Sequence, residues 1–321
     1  MIISRKTLKI IIAIAASTGI FCLAFWAVTY TASRTIYKKN NVTELKNNNF
    51  QNNSGANFKG EISMPVLQTL TDSIKNTNQT GTNTMQTAVL NGFSDTVPIL
   101  MYHYIEVAPA STTLKGLYLD PKIFDNQLQE LKKNNYQTLF VSEVASNIIN
   151  KNKVAQNNIV LTFDDGYEDF YSEAYPILKK YNFKATLYVI INALGTKGYL
   201  TKSQVRELAD SGLVEIASHT FNHPDLRNLK DKDARFEIMA SKKVLEQISG
   251  KPVLSFAYPF GLYKPEFFTI ASSTGYTSAV SVMAGTRQGT GNQWLLRRLR
   301  PNERSGATFI AWIKSWEKSK Y

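Results

Sequence analysis

The sequence predicts an α/β domain: a parallel sheet covered by helices, open or closed into a barrel. Short apolar runs alternate with amphipathic stretches from Val97 to the C-terminus, the pattern of repeated strand–helix units. The helical stretches carry their own boundary residues. An apolar share of 43% is ordinary for a globular core.

Taken in order, VPILMYHYI (97–105) reads as a strand, and 120–136 as a helix with Asp120 as N-cap and Pro121 in its first turn. NIVLTF (158–163) is a strand, 167–182 a helix, KATLYVI (184–190) a strand, and 201–212 a helix closed by Gly212. LVEIASHT (213–220) is a strand and 231–250 a long helix. VLSFAYPF (253–260) is a strand, 264–276 a helix, TSAVSV (277–282) and LLRRLR (295–300) are strands, and 307–316 is a terminal helix. In either form of such a sheet, the active site belongs at the C-terminal strand ends.

Three regions are expected. Residues 1–36 form a membrane anchor: positions 10–30 are uncharged and mostly apolar, about 32 Å long at ~1.5 Å per residue, enough to cross a hydrocarbon core of ~30 Å. Arg5, Lys6 and Lys9 precede this run and favour a cytoplasmic N-terminus, against the weaker vote of Arg34, Lys38 and Lys39 beyond it. Anchor or cleaved signal, either reading sends the remainder outside the cytoplasm; the length of the run and the lack of a clear small-x-small cleavage site favour a single-pass anchor. Residues 37–95, rich in Asn, Thr, Gln and Lys, form a flexible tether that buries too little apolar area to offset its ordering entropy. Residues 96–321 form the folded α/β domain.

The net charge is +12, but no basic stripe with interleaved aromatics points to nucleic acid. The only cysteine, Cys22, lies in the apolar N-terminal run, so thiolate metal sites, disulfides and Cys nucleophiles are excluded from the rest of the chain. Any metal must use His and carboxylates.

Two stretches carry chemistry. Asp164 and Asp165 stand side by side where NIVLTF breaks at Gly166, although like charges at a core edge raise each other's pKa. Successive strand side chains point to opposite faces, so both can serve one site only where the backbone is turning, and Gly166 permits that turn. The second stretch is ASHTFNH (217–223), where His219 and His223 are four apart; on one helical turn both imidazoles would share a side. Two imidazoles and one carboxylate leave open positions on a Zn²⁺, Fe²⁺ or similar ion, as a catalytic site requires. The other aspartate is then free to act as a base. DDG alone is usually a turn, and a lone H-x-x-x-H pair is often accidental; both at strand ends of one alternating domain indicate a metal site.

With these residues in place, the sequence resembles the polysaccharide deacetylases of the NodB-homology type, carbohydrate esterases that remove acetyl groups from glycans. TFDDG (162–166), HTFNH (219–223) and FAYPFG (256–261) match three family motifs, and PILMYHYI (98–105) is similar to the opening of the subgroup that includes poly-N-acetylglucosamine deacetylases. The resemblance covers about 96–300. It implies a distorted (β/α) barrel of about seven parallel strands and metal-dependent release of acetate from an N-acetylhexosamine polysaccharide, either an exopolysaccharide or peptidoglycan. It implies Asp165, His219 and His223 as ligands of a divalent ion, zinc foremost, with cobalt, nickel or iron as alternatives. Asp164 would be the general base, and the Phe260 backbone N–H an oxyanion donor.

Two departures from the family pattern stand out. No histidine follows His223, so the general acid expected from a late motif is absent; in the subgroup with this opening, the histidine equivalent to His103 takes that role. Ala257 stands where many members carry an Arg that orients the base, which leaves Arg298 or Arg300 as the replacement. Tyr102, Tyr104, Tyr167, Tyr258 and Phe260 are candidates for a sugar-stacking platform. An O-acetyl esterase, or a decayed glycan-binding protein on the same fold, are the rival readings.

Overall fold

The computed structural model describes residues 93–320. The anchor and nearly all of the tether expected for residues 1–95 lie outside the described residues. Among those described, no helix is long and apolar enough to cross a membrane.

The chain builds one curled parallel sheet. Its strands are β2 (Ile99–Tyr102), β3 (Gln137–Leu139), β4 (Asn158–Phe163), β5 (Ala185–Val189), β6 (Val214–Ser218), β7 (Ser255–Ala257) and β8 (Ser278–Val280). They run in the order β2-β4-β5-β6-β7-β8, with β3 paired to β4. Val160 pairs with Ile99 on one side and Leu139 on the other; two residues on, β5 has replaced β3 as the partner of Thr162 and Phe163. A small antiparallel pair, β1 (Ser94–Thr96) with β9 (Arg287–Gly289), stands beside this sheet.

The crossovers are α1 (Pro121–Lys133), α2 (Val141–Ile149), α3 (Tyr175–Tyr181), α4 (Lys202–Asp210), α5 (Asp231–Ser249) and α6 (Glu266–Thr274), with α7 (Gly306–Glu317) at the end. Asp120 caps α1 as expected, accepting from Lys122 N at 2.8 Å with Pro121 at the first helical position. Strand side chains alternate in their packing. Leu161 and Phe163 of β4 join the large cluster with Phe124 and Leu128 of α1. The opposite face of the sheet contributes Ile99, Val160, Tyr188, Ala217, Ala257 and Val280 to an inner cluster that Leu296 completes.

Three expectations need correction. LLRRLR forms two isolated bridges, Val280 with Leu296 and Leu100 with Leu299, rather than a strand. Leu296 N donates to Ala279 O (2.9 Å) and Leu299 N to Ile99 O (2.7 Å); a segment that passes from one sheet edge to the other cannot follow either for a full ladder. The helix expected from Tyr167 begins instead with a π-turn, Phe170–Ala174, in which Tyr175 N reaches back to Phe170 O. Pro176 has no N–H for the next α-helical bond, so a wider turn costs little there. Third, Ser94 and Asp95, expected in the tether, belong to β1 and pair with β9; these three-residue strands, like β3, are too short to show a period.

Candidate active site

The site forms where β4 and β6 leave the sheet. Asp164 N still donates to Tyr102 O (3.0 Å), extending the pairing with β2. The chain then turns, with Asp165 at φ 75° and Gly166 at φ 76°. A Cβ on Gly166 would meet Val189 Cγ1 at 3.3 Å, so both conformation and space favour glycine there. Asp165 itself takes the left-handed conformation, and this turn lets adjacent carboxylates face different partners of one site.

Asp165 Oδ1 lies 3.4 Å from His219 Nε2 and 3.6 Å from His223 Nε2. The three potential ligand atoms are all within 4.8 Å of one another. His219 is held by its other nitrogen, with Nδ1 2.9 Å from Ala257 O. That bond orients the ring and leaves Nε2 as the ligand atom. Burial pushes the Asp165 carboxyl upward, but the hydrogen bond from His219 and the charges of the histidines outweigh it and hold the group well below its ordinary range. Burial and the His219 charge push His223 down to about 4. A buried carboxylate facing two imidazole nitrogens is a donor set that fits a divalent cation such as Zn²⁺.

The two histidines do not meet on a helical turn, as their spacing suggested. HTFNH is a loop in which Thr220 (φ 68°) and His223 (φ 58°) are left-handed. His223 N donates to Thr220 Oγ1 at 2.8 Å, and the rings pack edge to face at 4.6 Å.

Asp164 is held by Arg298 in a bidentate pair: Nη1 donates to Oδ1 (2.7 Å) and Nη2 to Oδ2 (2.8 Å). Arg298 is 1% exposed and also donates to Ser281 O (2.9 Å) and Thr162 Oγ1 (3.1 Å). Burial would raise the Asp164 carboxyl, but the Arg298 charge and hydrogen bonds, then His103 and His219, hold it below its ordinary range. Of the two arginines left open by the sequence, Arg298 therefore orients the base candidate. Arg300 donates instead to Gly116 O at 3.1 Å. His103, just past β2, places Nε2 4.0 Å from Asp164 Oδ2. Its Nδ1 is buried with no hydrogen-bond partner among the described residues. Burial pushes its pKa down against the pull of both aspartates.

Over most of its length, the chain is similar to known proteins. The family described as Polysaccharide deacetylase matches residues 151–279. YxkH of Bacillus subtilis (strain 168), which bears a polysaccharide deacetylase name, is 34% identical over 220 residues, covering 68% of this chain and 76% of its own. The chain belongs to the polysaccharide deacetylase family. Its members are hydrolases, and this deacetylase is 25% identical over 228 residues to the poly-β-1,6-N-acetyl-D-glucosamine N-deacetylase of Staphylococcus aureus (strain MRSA252), covering 67% of this chain and 77% of that one. Among solved structures, Streptococcus pyogenes deacetylase PplD in complex with acetate is 33% identical with a TM-score of 0.63, covering 69% of this chain and 98% of that one. IcaB from Ammonifex degensii, at 21% identity and a TM-score of 0.57, shares the fold.

The deacetylase sorts its aromatic residues sharply. Tyr102 is buried, stacked on Phe163, and donates its hydroxyl to Gln127 Oε1 (2.9 Å); Tyr258 is buried against Phe256. Neither can be part of a sugar platform. Tyr104 is sandwiched between Tyr118 (4.2 Å, 5°) and Tyr167 (3.6 Å, 18°), and Tyr199 continues the row. Tyr118 and Tyr199 lie in loops and carried no sequence signal. Phe260 is different: it is 57% exposed, packs edge to face on His223 at 4.6 Å, and sits at φ 60°.

One acid outside the Asp165, His219 and His223 group braces this row. Ile105 N donates to the Asp169 carboxylate, fixing the segment that follows His103. Burial pushes Asp169 up to about 7 from its ordinary 3.8. The folded chain thus holds that proton more tightly than the unfolded chain. The stabilisation is complete below the unfolded value and is lost as pH rises through about 7. Asp169→Asn keeps an acceptor for Ile105 N without a charge to bury, so its melting temperature should gain on wild type as pH rises from 4 to 8. Thermal melts across that range check this; parallel profiles would refute it.

Proposed function

We propose that this deacetylase is a divalent-metal-dependent N-deacetylase of an N-acetylglucosamine polymer, of the poly-β-1,6-linked type named for its S. aureus relative. The observation that carries the reading is the convergence of Asp165, His219 and His223 beside an Arg298-locked Asp164. Asp165, His219 and His223 hold the ion, zinc foremost, which when bound supplies Lewis acidity to water and to the acetyl carbonyl.

The chain's own groups complete the reaction. Asp164, kept ionised by Arg298, accepts the proton of the attacking water. The N–H of Phe260, in the left-handed turn after Pro259, donates to the carbonyl oxygen as negative charge develops there. His103 delivers a proton to the departing amine, which cannot leave as an anion. Exposed Phe260 offers a face for a sugar ring.

The uncharged run at 10–30 supports a membrane-anchored protein whose residues 96–321 work outside the cytoplasm at the end of the 37–95 tether. Acetate release by the full-length protein in detergent tests the function. Poly-β-1,6-N-acetylglucosamine, chitooligosaccharides, peptidoglycan and an O-acetylated cell-wall glycan should be compared. Release from the first, lost with a chelator and restored by Zn²⁺, is expected. Release indifferent to the chelator would sink metal dependence, and release only from the O-acetylated glycan would favour the esterase reading.

A further inference from the structure

Glu237 lies on the buried face of α5, in register with Ala234, Ile238, Ser241 and Leu245. It is 5% exposed, and no cation forms an ion pair with it among the described residues. A buried carboxylate without a counter-ion is costly unless hydrogen bonds replace water.

Its partners all come from the two residues that separate Thr220 from His223. Phe221 N (2.9 Å) and Asn222 N (2.8 Å) donate to Oε2, and Asn222 Nδ2 (2.7 Å) donates to Oε1. One turn further along α5, Ser241 Oγ accepts from Ser218 Oγ at 2.8 Å, just before His219. The long helix therefore grips the loop at both its beginning and its middle. The loop needs that grip, because Thr220 and His223 are both left-handed without being glycine, and such residues persist only where their surroundings over-determine them.

We propose that Glu237 is a positioning residue for the metal site: its three accepted hydrogen bonds hold the HTFNH loop in the conformation that turns His223 Nε2 towards Asp165. The inference rests on the reading of Asp165, His219 and His223 as metal ligands. Glu237 touches none of them. Without its carboxylate, three N–H bonds lose their acceptor, and the loop regains their hydrogen bonds only by leaving the left-handed conformation that delivers His223.

The test is Zn²⁺ affinity of the full-length protein in detergent, by competition with a chromophoric chelator, alongside the melting temperature of the zinc-free protein. Glu237→Ala should weaken Zn²⁺ binding about 10- to 100-fold, the range for lost support of metal ligands. Glu237→Gln should retain most of the affinity, since its Oε1 can accept both backbone N–H groups while the Asn222 amide turns over. Should Glu237→Ala fail to fold, Asn222→Asp places a repelling carboxylate opposite Glu237 without altering α5, and the same weakening is expected. A merely structural Glu237 would lower the melting temperature and leave Zn²⁺ affinity of the folded fraction unchanged; that result, in either variant, overturns the proposal. His223→Ala serves as the control. If wild type takes up no Zn²⁺, or His223→Ala binds it equally well, the metal reading falls and this inference falls with it.

Discussion

Asp164→Asn should lower the turnover of the zinc-loaded deacetylase by about 10²- to 10⁴-fold, the usual worth of a positioned general base, while Zn²⁺ uptake stays at the wild-type level. Asp164 and Asp165 are neighbours in sequence, yet their carboxylates face different partners: Arg298 for one, His219 and His223 for the other. An amide at 164 has nearly the same shape but takes no proton, and it leaves the three ligand atoms untouched. The substitution also meets Arg298 Nη2 with a donor, so some stability is lost. The assay therefore belongs well below the melting temperature, with turnover referred to bound zinc. A turnover within threefold of wild type would remove Asp164 from the chemistry.

The second large effect is on stability. Arg298→Met should cost about 3–5 kcal/mol, because it leaves Asp164 as a buried carboxylate stripped of its guanidinium. For a domain of this size that corresponds to roughly 6–20 °C in melting temperature. Burial is the dominant influence raising the Asp164 carboxyl, and Arg298 is foremost among the groups opposing it. Replacing both partners, Asp164→Leu with Arg298→Met, should recover most of the lost stability, since a well-packed apolar pair is often as stable as a buried ion pair. It should recover none of the activity. A melting temperature for Arg298→Met within 2 °C of wild type would show that the pair contributes little to folding.

These two predictions divide along the line between local and distant information. Asp164, Asp165, His219 and His223 were legible because each pair is a short motif at the end of an apolar run, and strand ends on one edge of a parallel sheet converge whatever the details of packing. The choice between Arg298 and Arg300 was not legible. Two positions apart, they would share a face on a regular strand. The segment makes only single bridges at Leu296 and Leu299 as it crosses between sheet edges. That crossing sends Arg298 inward to Asp164 and leaves Arg300 at Gly116.

The H-x-x-x-H spacing misled for a similar reason. Four residues suggest a helical turn, but the loop's N–H groups found a better acceptor in Glu237, fourteen positions beyond His223. An acid on the apolar register of a long helix was a readable sign that something polar had to meet it. Which donors those were depended on how α5 packs beside β6. The aromatics follow the same rule. Their positions in and beside the motifs put Tyr102, Tyr104, Tyr167, Tyr258 and Phe260 near the site, whereas burial and mutual stacking left Phe260 as the one of the five with an exposed face.

The sequence by itself determined the alternating α/β architecture, the caps that bound its helices, and the residue types of the candidate site, because periodicity, capping and metal-ligand chemistry act over a few neighbouring positions. Tertiary structure alone decided which arginine locks Asp164, which acid supports the histidine loop and which aromatic ring meets solvent. Each of those outcomes depends on a hydrogen bond or a packing contact between segments far apart in the chain, whose geometry no local pattern records.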